Sequence, residues 1–348
     1  LPVALSVVGT AIFTFFAAQI MSKIGRRLGF ICAALGSSAA TLLAAFAITQ
    51  QNFILFCIAC LILGMGMAFT HQYRFAAAES VEKEKAPKAI SILMLAGIVS
   101  GFMALTLANY TKNFIPEHLY AGSYLLLSIF TFIPAILLFF YKDNEKPKLD
   151  FNNTYNGRRL FQILSQPRFL QAVTAAAVAY AVMSCLMTAT PLSMHVLEKM
   201  SLEKTGIVLQ LHLVAMFLPS LITGNLIKKF GHSNIMYIGV LFYVVTIVLS
   251  LLEQTYTNYM LALIFLGLGW NFLFISGTSL VILTYKEEEK FRAQGMNDLI
   301  VYSTMAVASL SAGILLSFTG WKMMNLFCLP LLILTVYITF RADRLSKK

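Results

Sequence analysis

Long apolar stretches separated by short polar segments recur along the whole 348-residue chain. A bilayer core about 30 Å thick needs roughly 20 apolar residues for one helical crossing. The apolar residues are continuous rather than alternating, which indicates helices and not barrel strands. The predicted fold class is therefore an all-α polytopic membrane protein. Its eleven predicted spans are 1–21, 30–49, 53–76, 89–110, 120–141, 168–195, 204–227, 234–252, 256–284, 296–319 and 321–340.

Composition agrees with this fold class. The chain is 59% hydrophobic and only 12% charged, which is too little charge for the surface of a soluble domain. The net charge of +11 does not indicate nucleic-acid binding, because membrane proteins collect Lys and Arg in cytoplasmic loops. The five cysteines lie inside apolar stretches with no His or carboxylate beside them. We therefore expect them to pack in the core, with no metal site and no cofactor.

The basic residues fall mainly on one side of the predicted membrane. If the loop Ser22–Gly29 is cytoplasmic and the spans alternate, 21 of the 26 Lys and Arg residues are cytoplasmic and four are opposite. Arg74 is the remaining one and lies within a span. This asymmetry predicts that the linker and the C-terminus lie in the cytoplasm. The predicted parts are an N-terminal half (1–141, five spans), a cytoplasmic linker (142–167), a C-terminal half (168–341, six spans) and a cytoplasmic tail (342–348).

The two halves share short motifs at a nearly constant spacing. The matches are Gly25 with Gly231, LGMG (Leu63–Gly66) with LGLG (Leu266–Gly269), and APKA (Ala86–Ala89) with KFRA (Lys290–Ala293), at offsets of 206, 203 and 204. A steady offset indicates a duplicated unit, and many transporters are built from such repeats. If each unit has six spans, we expect that the first half lacks one helix at its N-terminus.

Two basic turns occupy equivalent places in the repeat, AAQIMSKIGRRLGF (Ala17–Phe30) and ITGNLIKKFGHSNI (Ile222–Ile235). They resemble the signature loop of the major facilitator superfamily, Gly-x-x-x-Asp-Arg-x-Gly-Arg-Arg. Ser22 and Lys228 stand where that pattern has Asp. The matching residues are Lys23, Gly25, Arg26 and Arg27 in the first turn, and Gly224, Lys229 and Gly231 in the second. Each central Gly allows a tight turn with positive φ. The turns either gate transport or only anchor the topology.

The resemblance implies a fold of two six-helix halves, of which eleven spans are visible here. It implies a secondary active or facilitative transporter in a bacterial inner membrane. We expect a monomer that moves a small organic solute by alternating access, with H+ as a candidate coupling ion. HQYRFAAAES (His71–Ser80) and GLGWNFLFISGTSLVILTYKEEEKFRAQGMNDL (Gly267–Leu299) further resemble a bacterial branch associated with uptake of riboflavin-like compounds. The alternatives are a drug or metabolite exporter and a non-transporting receptor or degenerate transporter. The sequence contains no HExxH and no nucleophile elbow, so we do not expect an enzyme.

Polar side chains inside the predicted spans are the candidate solute contacts, because such groups are costly in a bilayer and face a cavity or a partner. In the superfamily fold, helices one, four, seven and ten line the central cavity. The last three correspond to spans 53–76, 168–195 and 256–284. The predicted substrate-binding residues on them are His71, Arg74, Tyr180, Ser184, Trp270 and Asn271.

The sequence leaves a structural alternative open for these residues. The alternatives are snorkelling or pairing with Glu79 for Arg74, helix packing for Tyr180 and Ser184, and interhelical hydrogen bonding for Trp270 and Asn271. His212, in the eighth helix, is a candidate proton carrier or a packing residue.

Carboxylates bear on the coupling mechanism. All fifteen Asp and Glu residues are expected in loops or at helix ends, with Glu79 and Asp298 nearest the membrane. A proton-coupled carrier would then hold its proton on a missing helix or on a His, and otherwise the protein is a uniporter.

Overall fold

The computed structural model describes residues 2–141 and 157–346, so residues 142–156 of the predicted linker lie outside it. The described residues form helices and connecting turns, without a strand. The first helices are α1 (Pro2–Ile24), α2 (Arg26–Thr49), α3 (Phe53–Thr70), α4 (Tyr73–Glu79), α5 (Ala86–Thr111) and α6 (Ala121–Phe139). They are followed by α7 (Leu160–Leu164), α8 (Pro167–Pro191), α9 (Leu202–Phe217), α10 (Ser220–Phe230), α11 (His232–Leu251), α12 (Tyr256–Val281), α13 (Lys290–Leu326) and α14 (Leu329–Ser346).

The helices confirm a polytopic all-α membrane protein. Ten stretches of the described chain are long and apolar enough to cross a membrane. The last of them, Glu287–Ser346, has 60 residues, which as one helix would extend about 90 Å, three times the bilayer core. Gly320 interrupts it with φ 72° and ψ 172°. This stretch therefore holds the two predicted spans 296–319 and 321–340.

Two predicted spans are broken inside their length. The span predicted over 53–76 is interrupted at His71 and Gln72, between α3 and α4. The span predicted over 204–227 is interrupted at Leu218 and Pro219, between α9 and α10. Proline has no N–H and clashes with the preceding turn, which accounts for the second break. The first break contains neither Gly nor Pro, and side chains stabilise it.

The two basic turns have the same backbone conformation. Gly25 joins α1 to α2 with φ 84° and ψ 161°, and Gly231 joins α10 to α11 with φ 82° and ψ 161°. Only glycine adopts this region without strain, so the predicted positive φ is confirmed at both positions. The match also supports the sequence repeat.

The chain divides into two compact units, and each takes in a segment from the other half of the sequence. Unit 1 comprises Leu1–Ala76, Phe102–Gly157 and Lys286–Ser303; unit 2 comprises Ala77–Gly101, Arg158–Tyr285 and Thr304–Lys348. In unit 1, α3 packs on α1 and α2, and α2 packs on α6. In unit 2, α12 is central and packs on α8, α9 and α11. Segments 77–101 and 286–303 are equivalent in the repeat.

Helix pairs approach closely where glycine lies between them. A Cβ added at Gly64 of α3 would lie 2.1 Å from the carbonyl oxygen of Ser6 on α1. A Cβ added at Gly267 of α12 would lie 2.8 Å from the carbonyl oxygen of His212 on α9. Small residues at such crossings let two backbones pack together in a membrane.

Candidate functional site

A buried ion pair lies at the centre of a polar cluster in unit 1. Arg74 of α4 pairs with Asp298 of α13, and their side chains are 2% and 0% exposed. Gln72 donates to Asp298 Oδ2 at 2.6 Å, and Asn297 donates to Oδ1 at 2.9 Å. Arg74 also donates to the Tyr302 hydroxyl at 2.7 Å. These five residues are called the Arg74–Asp298 cluster below.

The cluster also closes the break between α3 and α4. Arg74 Nη1 donates to the backbone carbonyl of His71 at 2.9 Å, so one guanidinium serves both the ion pair and the broken helix. The His71 ring stacks on Tyr302 with a centroid distance of 4.0 Å. Arg74 is thus buried in a polar cluster rather than snorkelling to an interface. Solute contact by His71 and Arg74 stays a prediction.

The position of Asp298 corrects an expectation from the sequence. Asp298 does not lie in a loop or at a helix end: it follows the start of α13 at Lys290 by eight residues, roughly 12 Å along the helix axis. One signal could have indicated this. An Arg within a span needs a counter-charge, and Gln294, Asp298 and Tyr302 share one face of a helix at intervals of four residues.

The predicted gating residues differ in their surroundings. Arg26 is 4% exposed, donates to Gln294 Oε1 at 2.7 Å and lies over the ring of Phe291 at 5.0 Å. It therefore contacts the same face of α13 as Arg74. Arg27 bonds the backbone carbonyl of Phe139 and lies over its ring. Of the other predicted gating residues, Lys23, Lys229 and Gly231 are exposed and Gly25 is buried. A gating role for them is not tested.

Four aromatic rings form a second cluster, in unit 2. Trp270 of α12 is 1% exposed and stacks on Phe274 with a centroid distance of 4.9 Å and an angle of 19°. Tyr180 and Phe217 approach Trp270 edge-on at 5.4 and 5.7 Å. These residues are called the Trp270 cluster below. The indole Nε1 of Trp270 has no hydrogen-bond partner among the described residues. Phe217 and Phe274 were not predicted, since Phe is common along the chain.

Asn271 is fully engaged in contacts between helices. Its amide donates to the carbonyl of Met216 at 2.6 Å and to Ser220 at 2.7 Å. Its oxygen accepts a hydrogen bond of 2.6 Å from Thr223. These partners flank the break at Pro219, so Asn271 joins α9 and α10 across the interruption. The geometry supports the alternative of interhelical bonding.

The remaining predicted residues, His212 and Ser184, are buried in unit 2. His212 Nδ1 lies 2.7 Å from the carbonyl oxygen of Leu263. Because a carbonyl only accepts, this nitrogen carries the proton and Nε2 does not in the neutral ring. Nε2 has no partner among the described residues. Ser184 lies one turn beyond Tyr180 on α8.

Comparison with known proteins decides the family. The family model described as Major Facilitator Superfamily matches residues 1–275 and 172–348. The chain belongs to the major facilitator superfamily. A riboflavin transporter, RfnT of Brucella anthropi, is 35% identical over 337 residues, which cover 97% of this chain and 84% of that protein. An uncharacterized transporter of the superfamily, YddS of Bacillus subtilis, is 24% identical over 98% of this chain and 82% of its own length.

Solved structures agree with the superfamily fold. A crystal structure of the superfamily transporter FucP in its outward conformation matches with a TM-score of 0.73 at 14% identity, over 97% of this chain and 88% of that one. Membership of the superfamily makes the protein a multi-pass membrane transporter of small solutes. The comparisons favour neither a drug exporter nor a non-transporting receptor.

Proposed function

We propose that this superfamily member carries a riboflavin-like solute across a bacterial inner membrane by alternating access. Riboflavin joins a flat, carbonyl-bearing ring system to a polyhydroxyl chain. The observation that carries the proposal is the Trp270 cluster, which combines flat aromatic surface with an indole N–H that lacks a partner. The riboflavin transporter that is 35% identical to this chain supports the same solute class.

The Trp270 cluster suits a flat heteroaromatic ligand. Tyr180 and Phe217 are partly exposed, whereas Trp270 and Phe274 are buried behind them. Aromatic rings gain from offset stacking and edge contacts, so the two outer rings would pack against the solute. The N–H of Trp270 would donate to a ring carbonyl. Hydroxyl groups such as that of Ser184 would bind the polyhydroxyl chain.

The proposal includes an orientation, a coupling ion and an oligomeric state. The 21 Lys and Arg residues assigned to one side support a cytoplasmic linker and C-terminus. The coupling ion is H+, and the carrier is a monomer.

Riboflavin counterflow tests the solute. Purified protein in liposomes loaded with unlabelled riboflavin should take up labelled riboflavin, without any ion gradient. Trp270→Phe keeps an aromatic ring but removes the N–H, and a lost neutral hydrogen bond of about 1 kcal/mol weakens binding about fivefold to tenfold. The measurement is the concentration of riboflavin that gives half-maximal counterflow.

The chain supplies a matched control, because it has only two tryptophans. Trp321→Phe makes the same chemical change outside the Trp270 cluster and should leave counterflow unchanged. It also leaves Trp270 as the sole tryptophan, so quenching of its fluorescence by riboflavin reports binding beside it. Absence of counterflow in the unaltered protein would reject the solute, and equal effects of the two substitutions would reject the site.

A further inference from the structure

We propose that Asp298 is a proton-binding site whose occupation releases Arg74 from the Arg74–Asp298 cluster. The proton comes from water on one side of the membrane: an O–H bond forms on the carboxylate, and hydronium is left as water. The net charge of the pair then rises from zero to +1. Release of Arg74 frees a cation that the sequence places inside a span rather than in a loop.

The Arg74–Asp298 cluster has too few hydrogen-bond donors for its buried acceptors, and this shortage supports the proposal. Gln72 and Asn297 each use the amide N–H₂ group to donate to Asp298. Their amide oxygens, Gln72 Oε1 and Asn297 Oδ1, have no donor among the described residues, although both residues are 0% exposed. A buried acceptor without a donor is costly. Protonation turns the carboxylate into a group that carries one donor, and a rotated amide can offer its oxygen to that O–H.

The charges around Asp298 are few. Arg74 faces it from α4, and Arg26 contacts the same face of α13 through Gln294. The other titratable groups nearby are His71 and Tyr302, which stack on each other. No second carboxylate bonds to Asp298 among the described residues. A proton on Asp298 therefore removes the negative charge that Arg74 pairs with, and in a low dielectric that loss is large.

The charges of this ion pair have no counterpart in the other copy of the repeat. At the repeat offsets of 203 and 204, the residues equivalent to Arg74 are Gly277 and Thr278, and those equivalent to Asp298 are Leu95 and Met94. The charges occur in one copy of the repeat, which favours a role in function over a role in the architecture.

Release of Arg74 would weaken the junction between α3 and α4. The same guanidinium that binds Asp298 also bonds the carbonyl of His71, where α3 ends. Loss of the ion pair loosens this junction and the adjoining face of α13. Proton binding is thereby linked to the backbone between α3 and α4. The test of this proposal with a pH gradient rests on the proposed transport of riboflavin. The test by infrared spectroscopy does not need a transported solute.

The experiment compares Asp298→Asn with the unaltered protein in the same liposomes. Counterflow at equal pH needs no proton movement, so both should show it within about threefold. A pH gradient should drive accumulation of riboflavin, and a trapped pH dye should report proton entry, only in the unaltered protein. Glu289→Gln is the matched control, because Glu289 is equally buried but lies in the turn before α13. It should retain both signals.

Infrared difference spectra between acidic and neutral buffer give a readout that needs no solute. The unaltered protein should show a carboxylic acid band that Asp298→Asn lacks and Glu289→Gln retains. If Asp298→Asn does not fold, the double variant Arg74→Gln/Asp298→Asn removes both charges together, and its accumulation is expressed relative to its own counterflow.

The outcomes separate the two proposals. Accumulation driven by a pH gradient in Asp298→Asn, or identical infrared spectra, overturns the proton site. Counterflow of riboflavin without any response to a pH gradient in the unaltered protein also overturns it and leaves the solute in place. Absence of counterflow together with the loss of the infrared band in Asp298→Asn rejects the solute and retains the proton site.

Discussion

Two predicted spans are broken inside their length, and at each break one side chain bonds a backbone carbonyl. Arg74 bonds the carbonyl of His71 between α3 and α4, and Asn271 bonds the carbonyl of Met216 before Pro219. A carbonyl left without its helical partner is costly in a membrane, where no water replaces the bond. The sequence predicts both residues as solute contacts. Their observed contacts provide hydrogen-bond partners for two irregular backbone segments, and solute contact by them stays a prediction.

Replacing Asn271 should therefore lower stability. Asn271→Leu has a similar volume but removes three hydrogen bonds, and at about 0.6 kcal/mol each in a membrane the cost is about 2 kcal/mol. Thermal unfolding in detergent measures the loss. Asn325→Leu is the control, because Asn325 is equally buried but its amide bonds, within the part of the chain that the structure describes, only Trp321 in its own helix. A loss as large in the control would show that Asn271 has no special role at the break.

Some of these residues can be found from the sequence alone, whereas others depend on contacts that the sequence does not show. Arg74, Trp270 and Asn271 are conspicuous because polar or bulky groups are rare within spans. Asp298 was placed wrongly, since three consecutive Glu residues before it suggest a longer loop than the chain forms. The break at His71 has no Gly or Pro to indicate it. The break depends on partners in α13, more than 220 residues later. The sequence around His71 does not indicate these contacts.

At the scale of elements, helix contacts in unit 1 depend on glycine and on short hydroxyl side chains. Ser6 donates to the carbonyl of Cys60 at 3.0 Å, and Thr10 donates to the carbonyl of Gly64 at 3.1 Å. Both bonds join α1 to α3 and need the two backbones close together. Gly64 permits this approach, because it has no Cβ to occupy the space beside Ser6.

Gly64→Ala should force α1 and α3 apart. The added Cβ would meet backbone rather than a movable side chain, so we expect a loss of about 1–3 kcal/mol or more, as for other overpacked sites. Gly36→Ala on α2 is the matched control, because no atom lies within 4 Å of its added Cβ. Folded yield and melting temperature in detergent compare the two. An equal effect at both positions would contradict the close approach at Gly64.

At the scale of the whole molecule, the two halves of the sequence do not coincide with the two compact units. Unit 1 takes in 286–303 from the second half, and unit 2 takes in 77–101 from the first. The exchange follows the repeat, since the two segments are equivalent within it. Each unit thus needs both halves of the sequence to be complete.

Splitting the chain into its two halves tests whether each compact unit needs both of them. We expect that fragments 1–149 and 150–348, produced separately, are each unstable and degraded in the membrane. Production of both together should restore folded protein, because each unit then regains its exchanged segment. Affinity tags on opposite fragments and size-exclusion chromatography measure recovery. Stable separate fragments would contradict the exchange, and an uncut chain serves as the reference.

The distance along the chain between Arg74 and Asp298 has a consequence for synthesis. The two residues are 224 positions apart, and a ribosome that adds 5–20 residues per second needs roughly 10–45 s to make that stretch. During this interval Arg74 has entered the membrane before its counter-charge exists, and a cation inside a span is costly without that partner. We therefore expect the incomplete chain to be more exposed to insertion chaperones and membrane proteases until α13 is complete.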